Sequence, residues 1–119
     1  MNQDRCCSLA PYFLVADGKI EDFKQLCQKF VEQTRSEAKC LYYGFSFNEN
    51  LVHCREGYRD AEGLLSHLKN VNSILEEALK ISELVRLEVH APEAELNELR
   101  KHLSHLEPQF FSLESGFRK

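Results

Sequence analysis

The sequence lacks the features that mark several classes of protein. No apolar run approaches the roughly 20 residues of a membrane-spanning helix, and the opening "MNQDRCCSLAPY" contains no signal-peptide core. The motifs GxGxxG, GxxxxGK[ST] and HExxH are also missing. A net charge of −4 without a basic stripe argues against nucleic acid as a partner. We therefore expect a cytoplasmic protein with no membrane contact and no cofactor.

A disulfide or metal framework is also missing. The five cysteines are odd in number and none has CxxC spacing, so we expect them to be reduced. His102 and His105 are three residues apart in a charged helix, with Glu98 one turn before His102, and surface histidines are common on such helices. The prediction is that neither set binds a metal. The cysteines are Cys6, Cys7, Cys27, Cys40 and Cys54.

The composition is that of one folded domain. Of the 119 residues, 43% are apolar and 29% charged, and no linker, repeat or low-complexity tract divides the chain. We expect a flexible tail over residues 1–10 and a single domain over 11–119.

Two hydrophobic periods alternate along that domain. Period-2 patterns predict strands, and helical spacing predicts helices. The predicted strands are 11–16, 40–47, 51–58, 82–91 and 109–117, and the predicted helices are 19–35, 60–69, 73–79 and 92–106. The resulting order, β-α-β-β-α-α-β-α-β, predicts an α+β fold. Its first part is a ferredoxin-like antiparallel sheet with helices on one face, and a helix and a strand are added at the C-terminus.

The predicted sheet carries apolar side chains on both faces. Tyr43 and Phe45 alternate with Tyr42 on the second strand, and Phe110 opposes Phe111 on the last one. Val85, Leu87 and Val89 are expected on the buried face of the fourth strand. Since one layer of helices covers only one face, we expect a homodimer in which the sheets of two copies meet.

Two segments resemble a known family. "KIEDFKQLCQKFVEQTRSEAKCLYYGFSF" followed by "REGYRDAEGLLSHLKNV" is similar to the antibiotic biosynthesis monooxygenase domain, a dimeric α/β-barrel group. The resemblance covers roughly residues 11–90. It places Glu56, Tyr58, Asp60, Leu64 and His67 at the family's positions. The lead "SEAKC" departs from the family's usual Glu-Pro-Gly-Cys, which we interpret as a changed turn without chemical meaning.

The resemblance implies cofactor-independent oxidation of a quinol-like or phenolic small molecule. A base removes a phenol or enol proton, and the resulting anion reacts with O2 in a dry pocket. A haem-degrading branch of the family uses a histidine one helix further on, where Glu77 stands, so haem degradation is disfavoured. Two other functions stay open: a non-catalytic barrel that binds a small apolar ligand, and a structural or stress-related dimer without a ligand.

Three residues are the candidate catalytic groups: His67 as the base, Tyr58 as a hydrogen-bond donor to the substrate, and Glu56. Each also has a structural interpretation. His67 could be a helix histidine bonded to a neighbour, Tyr58 a core tyrosine, and Glu56 a carboxylate paired with Arg86 or pointing to solvent. Asp60 is predicted first as a helix N-cap.

Overall fold

The computed structural model describes residues 4–119 of the chain. Within them the chain forms five strands and four α-helices, together with one turn of 3-10 helix at Ser104–Leu106. In chain order the elements are β1 (Cys7–Val15), α1 (Ile20–Arg35), β2 (Cys40–Asn48), β3 (Leu51–Tyr58), α2 (Ala61–Asn70), α3 (Asn72–Lys80), β4 (Ser82–Ala91), α4 (Glu93–Leu103) and β5 (Gln109–Ser112).

The strands form one sheet in the order β2-β3-β1-β4-β5. The four strands of the ferredoxin-like part pair antiparallel, as predicted. The added strand β5 pairs parallel with β4, because α4 carries the chain back across the sheet before β5 begins. The sheet is therefore mixed, and the predicted α+β, ferredoxin-like class is confirmed.

The helices follow the apolar spacing of the sequence. In α1 the buried residues Phe23, Cys27 and Phe30 form one stripe that faces the sheet. Helix α2 begins at the predicted cap, where the Asp60 side chain accepts a hydrogen bond from the backbone N–H of Gly63 at 2.9 Å. Helix α3 follows α2 after a single residue, Val71, and has no side-chain cap.

Both ends of the sheet differ from the predicted boundaries. Strand β1 begins at Cys7, so residues 7–10, predicted as part of a flexible tail, pair with β3 and β4. Strand β5 ends at Ser112, because its partner β4 ends at Ala91 and the chain then turns into α4. Leu113 still donates a backbone hydrogen bond to Ala91 at 2.9 Å, but the strand expected to continue through residue 117 does not form.

The fourth strand contains an irregularity that the alternation of its residues does not reveal. Tyr12 pairs with Arg86 and the next residue, Phe13, pairs with Leu84, so Val85 is left over in a bulge. Val85 is 47% exposed, and the prediction that it is buried is wrong. Leu84 packs against the core in its place.

Two hydrophobic clusters lie between the sheet and the helices. One joins β1 and β4 to α2 and α4 around Leu64 and Leu99. The other joins β1 and β3 to α1 and α3 around Phe23 and Val52. Each cluster is closed by its own pair of helices, and the space between the clusters is where a cavity forms.

The opposite face of the sheet carries aromatic and polar side chains together. The rings of Tyr12 and His53 stack there, as do those of His90 and Phe111. The Tyr42 ring crosses Gly57, where a Cβ atom would lie 2.4 Å from ring carbons, so this close approach requires glycine. None of the helices within residues 4–119 is long and apolar enough to cross a membrane.

Candidate active site

A cavity of about 100 Å³ lies between the two hydrophobic clusters. Its walls come from the inner face of the sheet and from α1, α2, α3 and the chain around the end of α4, and most of them are apolar. Leu79 and Leu106 line it and are each 43% exposed, which places its mouth between α3 and the 3-10 turn. The polar side chains in its wall are Tyr43, Cys54, Glu56 and His67.

Glu56 brings a carboxyl group into this apolar wall. It lies on the inner face of β3, opposite Leu9 of β1 and Tyr43 of β2, and is 3% exposed. Glu56 neither pairs with Arg86 nor points to solvent, so both structural interpretations predicted for it are wrong. Its Oε1 accepts a hydrogen bond of 2.5 Å from the Tyr58 hydroxyl and lies 3.4 Å from Nε2 of His67.

His67 lies between two carboxyl groups. Its ring, on the inner face of α2, is 2% exposed and lines the cavity. Nδ1 lies 2.9 Å from Oε2 of Glu37, and Nε2 faces Glu56. Asn70 donates to the same Glu37 oxygen at 2.7 Å. Because Asn70 supplies a donor and the carboxylate accepts, Nδ1 of His67 is the protonated nitrogen and Nε2 is left to exchange a proton with Glu56.

Burial shifts the pKa values of Glu56 and His67 in opposite directions. Desolvation raises the pKa of Glu56 from 4.5 to about 7, although the hydrogen bonds from Tyr58 and Cys54 oppose this and the charge of Glu37 adds to it. Desolvation lowers the pKa of His67, opposed by its hydrogen bond to Glu37. A carboxyl group that titrates near neutrality can give up or take up a proton at physiological pH.

Tyr58 is placed behind Glu56, away from the cavity. It is fully buried and does not line the cavity wall, and its hydroxyl is used by Glu56. Burial is the main cause that raises the pKa of its phenol, and the charge of the nearby Glu56 raises it further. The structure thus brings the three residues together: Tyr58 donates a hydrogen bond to Glu56, and Nε2 of His67 lies 3.4 Å from the same carboxyl group. Of the three, Glu56 and His67 reach the cavity.

The other residues discussed from sequence lie elsewhere. Asp60 caps α2 and pairs with Lys39 at 2.9 Å. Arg86 and His90 lie on the opposite face of the sheet, where Glu88 accepts from both side chains. Among residues 4–119, no group of three or more His, Cys, Asp or Glu side chains has the arrangement of a metal site.

Sequence reasoning missed Glu37 and did not single out Tyr43. Glu37 belongs to the "SEAKC" segment, interpreted from sequence only as a changed turn, and its carboxylate lies 2.9 Å from Nδ1 of His67. The spacing in sequence between Glu37 and His67 gives no signal, since only the packing of α1 against α2 brings them together. Tyr43 stood on the buried face of its strand, but nothing in the alternation places it beside His67.

The fold is that of the dimeric α/β-barrel proteins related to antibiotic biosynthesis monooxygenases. A crystal structure described as an antibiotic biosynthesis monooxygenase superposes with a TM-score of 0.62 at 17% identity, covering 70% of this chain and 92% of that one. A protein of unknown function from Bacteroides thetaiotaomicron, described as a possible oxidoreductase, gives a TM-score of 0.65 at 17% identity, covering 73% and 97%. These similarities show the fold.

A much nearer relative is MupZ from Pseudomonas fluorescens. Its crystal structure is 48% identical, superposes with a TM-score of 0.93, and covers 97% of this chain, which in turn covers 95% of MupZ. The chain therefore belongs to the same family as MupZ. No family model matches the sequence, and neither does any curated protein.

Proposed function

We propose that this protein is a cofactor-independent enzyme that moves protons to and from a small, mainly apolar molecule bound in the cavity. The observation that carries the proposal is the carboxyl group of Glu56, buried in an apolar wall and facing Nε2 of His67 at 3.4 Å. A charged carboxylate is costly in such a place, so a group kept there without a cationic partner points to a chemical role.

The pair formed by Glu56 and His67 holds one exchangeable proton. With Nδ1 of His67 facing Glu37, Glu56 is the favoured site for this proton, because burial raises the pKa of Glu56 and lowers that of His67. When Glu56 carries it, the carboxyl group is a general acid towards the cavity, and when it is transferred, the carboxylate is a general base. The protonated and the ionised forms of the carboxyl group are both populated near neutral pH, because the pKa of Glu56 is raised to about 7.

The reaction that the fold relatives favour is oxygenation of a phenol, quinol or enol. Two distant structures carry the descriptions antibiotic biosynthesis monooxygenase and possible oxidoreductase. Removal of the hydroxyl proton gives an electron-rich anion that reacts with O2. In the overall change of a phenol, the hydroxyl carbon and a ring C–H carbon become the two C=O groups of a quinone, with one oxygen atom of O2 entering the product and the other leaving as water. The substrate supplies all the electrons, so no cofactor is consumed.

The size of the cavity restricts how such a substrate binds. An engineered cavity of about 150 Å³ accommodates benzene, and the space here is about 100 Å³. A single ring therefore fits only if it extends towards the mouth beside Leu79 and Leu106. We infer that the hydroxyl-bearing end of the molecule lies inside and that the remainder leaves through this apolar opening.

The proposal is tested by oxygen uptake with a panel of hydroquinones, naphthols and enolisable diketones. Glu56→Gln and His67→Asn should each lower the rate by about 10²-fold or more, because each removes a proton carrier. The exposed His102, exchanged in the same way to His102→Asn, is the matched control and should retain the full rate. Incorporation of deuterium from D2O into the substrate without oxygen uptake would support the acid–base role of Glu56 and His67 and exclude oxygenation. Binding without either reaction would favour the non-catalytic barrel.

A homodimer through the open face of the sheet is the assembly that we propose. Phe111 and Leu113 are 41% and 55% exposed, and the stacked pairs His90–Phe111 and Tyr12–His53 lie on that face. A second copy would cover these side chains by a two-fold contact. Sedimentation velocity at micromolar concentration should give a dimer that Phe111→Glu weakens, and a wild-type monomer would contradict the assignment. The five free cysteines support residence in a reducing compartment such as the cytoplasm.

A further inference from the structure

The polar groups in the wall of the cavity are not equally available to a ligand. Both nitrogens of His67 face carboxyl groups of the protein. Oε1 of Glu56 accepts from Tyr58 and faces His67. The Cys54 thiol also contacts Glu56, but burial raises its pKa, so it stays an uncharged group whose hydrogen bonds are weak and easily replaced by those of a ligand. The groups left to meet a polar atom of a ligand are Oε2 of Glu56 and the hydroxyl of Tyr43.

Tyr43 is held beside this group by packing on both sides. It is the residue of β2 directly opposite Glu56 in the sheet. Its ring centroid lies 5.1 Å from that of His67 and 5.6 Å from that of Phe45, with an edge-on contact to the phenylalanine. The Cys54 thiol and the Thr34 side chain lie near its hydroxyl, but within the described chain neither makes a hydrogen bond of normal length with it, in contrast to the hydroxyl of Tyr58.

A second observation indicates an unmet polar contact near the same phenol. The Thr34 side chain lies close to Tyr43, and Thr34 is 2% exposed. Its Oγ1 is the one buried side-chain oxygen or nitrogen without a hydrogen-bond partner among residues 4–119. Buried hydroxyl groups are normally paired, so a polar atom that belongs to a ligand or to water is expected in this neighbourhood.

We infer that Tyr43 and Glu56 together contact the reacting oxygen of the substrate, and that Tyr58 and Glu37 are positioning residues behind them. This inference rests on the proposed function and names the substrate class as a molecule whose hydroxyl group ends an apolar body. The role first assigned to Tyr58 from sequence, donation to the substrate, thereby passes to Tyr43.

The proton transfer follows from these positions. Oε2 of Glu56 takes the proton of the substrate hydroxyl, so the O–H bond of the substrate breaks and one on the carboxyl group forms. The O–H group of Tyr43 donates a hydrogen bond to the oxygen that becomes negative. Tyr43 keeps its own proton throughout, because burial raises the pKa of its phenol.

The experiment measures binding of p-fluorophenol by fluorine NMR, which reports occupancy without requiring turnover. Tyr43→Phe should weaken the dissociation constant about fivefold, the equivalent of about 1 kcal/mol for one hydrogen bond. Tyr58→Phe should leave the affinity within about twofold, because its hydroxyl does not reach the cavity. Tyr12→Phe, on the opposite face of the sheet, is the matched control and should match the wild type.

A pH titration separates the two tyrosines further. The hydrogen bond from Tyr58 lowers the pKa of Glu56, so Tyr58→Phe should move the pH dependence of phenol binding upward. Tyr43→Phe should leave the midpoint in place and reduce the affinity at every pH. Equal affinity of Tyr43→Phe and wild type, or an equal loss in Tyr58→Phe, would overturn the inference alone. Failure of the wild-type protein to bind any phenol would overturn the proposed function and the inference with it.

Discussion

Replacing Glu56 by glutamine should make the protein more stable above neutral pH, although it removes a proposed catalytic group. The wild-type carboxylate has to lose a proton inside an apolar wall, whereas a glutamine side chain has no charge to bury. The amide oxygen can still accept the hydrogen bond from Tyr58, which is 2.5 Å in the wild type. The exchange therefore removes the charge while keeping the shape and the main contact.

The size of the effect follows from the shift in ionisation. The pKa of Glu56 rises from 4.5 to about 7 in the folded chain. At about 1.4 kcal/mol for each pH unit, the ionised folded state loses about 3 kcal/mol relative to the unfolded state. For a chain of this size, that difference corresponds to roughly 10 °C in melting temperature.

The stability difference between wild type and Glu56→Gln should depend on pH in one direction and within one pH range. Below pH 4.5 the carboxyl group is protonated in the folded and the unfolded states, so wild type and Glu56→Gln should have similar stability. Between 4.5 and about 7 the folded state binds more protons than the unfolded one, so the wild type loses stability as pH rises. His67 has a lowered pKa and contributes in the opposite sense, with stability that falls as pH decreases, and this contribution largely cancels when the two proteins are compared.

Urea denaturation followed by circular dichroism from pH 4 to pH 9 measures the difference directly. The exposed carboxylate of Glu114, exchanged in the same way to Glu114→Gln, controls for the loss of one surface charge and should give a flat difference. A stability difference for Glu56→Gln that does not grow with pH would refute the argument that Glu56 is ionised at a cost. A variant that is less stable at every pH would show that its second oxygen makes an essential contact.

Three further exchanges test neighbouring parts of the structure. Glu37→Gln should lower the pKa of His67 further, because the lost carboxylate raises it, and NMR titration of the imidazole measures this. Thr34→Val should stabilise the apo protein by about 1 kcal/mol in urea denaturation, since the hydroxyl that it removes is buried without a partner. Gly57→Ala should destabilise it by about 1–3 kcal/mol, since the new Cβ would lie 2.4 Å from the ring of Tyr42.

Each of these exchanges has a defined contrary outcome. An unchanged titration of His67 would show that Glu37 is not its effective partner. A destabilising Thr34→Val would mean that the hydroxyl is paired in solution. Gly44, in the neighbouring strand, has nothing within 4 Å of where a Cβ atom would lie, so Gly44→Ala is the control for the loss of a glycine in a strand. Equal effects at positions 44 and 57 would contradict the steric argument.

The pattern of local residues predicted the fold well because each element carries its own signal. The spacing of Phe23, Cys27 and Phe30 defines α1, and Asp60 marks the start of α2. The predictions were wrong where pairing with a neighbouring strand determines the conformation of a residue. Val85 alternates correctly with Leu87, yet the bulge against β1 exposes it. Ser112 ends β5 because β4 ends there, which no property of residues 113–117 indicates.

The candidate site was predictable in part for the same reason. Glu56 and Tyr58 share a strand face by the two-residue period, so their hydrogen bond is a local consequence of the sequence. The resemblance to the family added His67. Glu37 comes from a loop 30 residues before His67, and its contact depends on the packing of α1 against α2. A carboxylate in a loop has no periodicity, so sequence alone could not distinguish it from a solvated side chain.

The C-terminal part of the chain contributes to the cavity and limits what can be inferred about its ligand from distant relatives. The resemblance in sequence covers roughly residues 11–90, and the distant structures cover 70–73% of the chain. Leu103 and Leu106, which lie beyond that range, nevertheless line the cavity, and Leu106 is at its mouth. MupZ, which matches 97% of the chain, is therefore the appropriate comparison for the shape of the cavity. Under the function proposed above, the proton carrier at one end of the cavity and the apolar mouth at the other would together select the substrate.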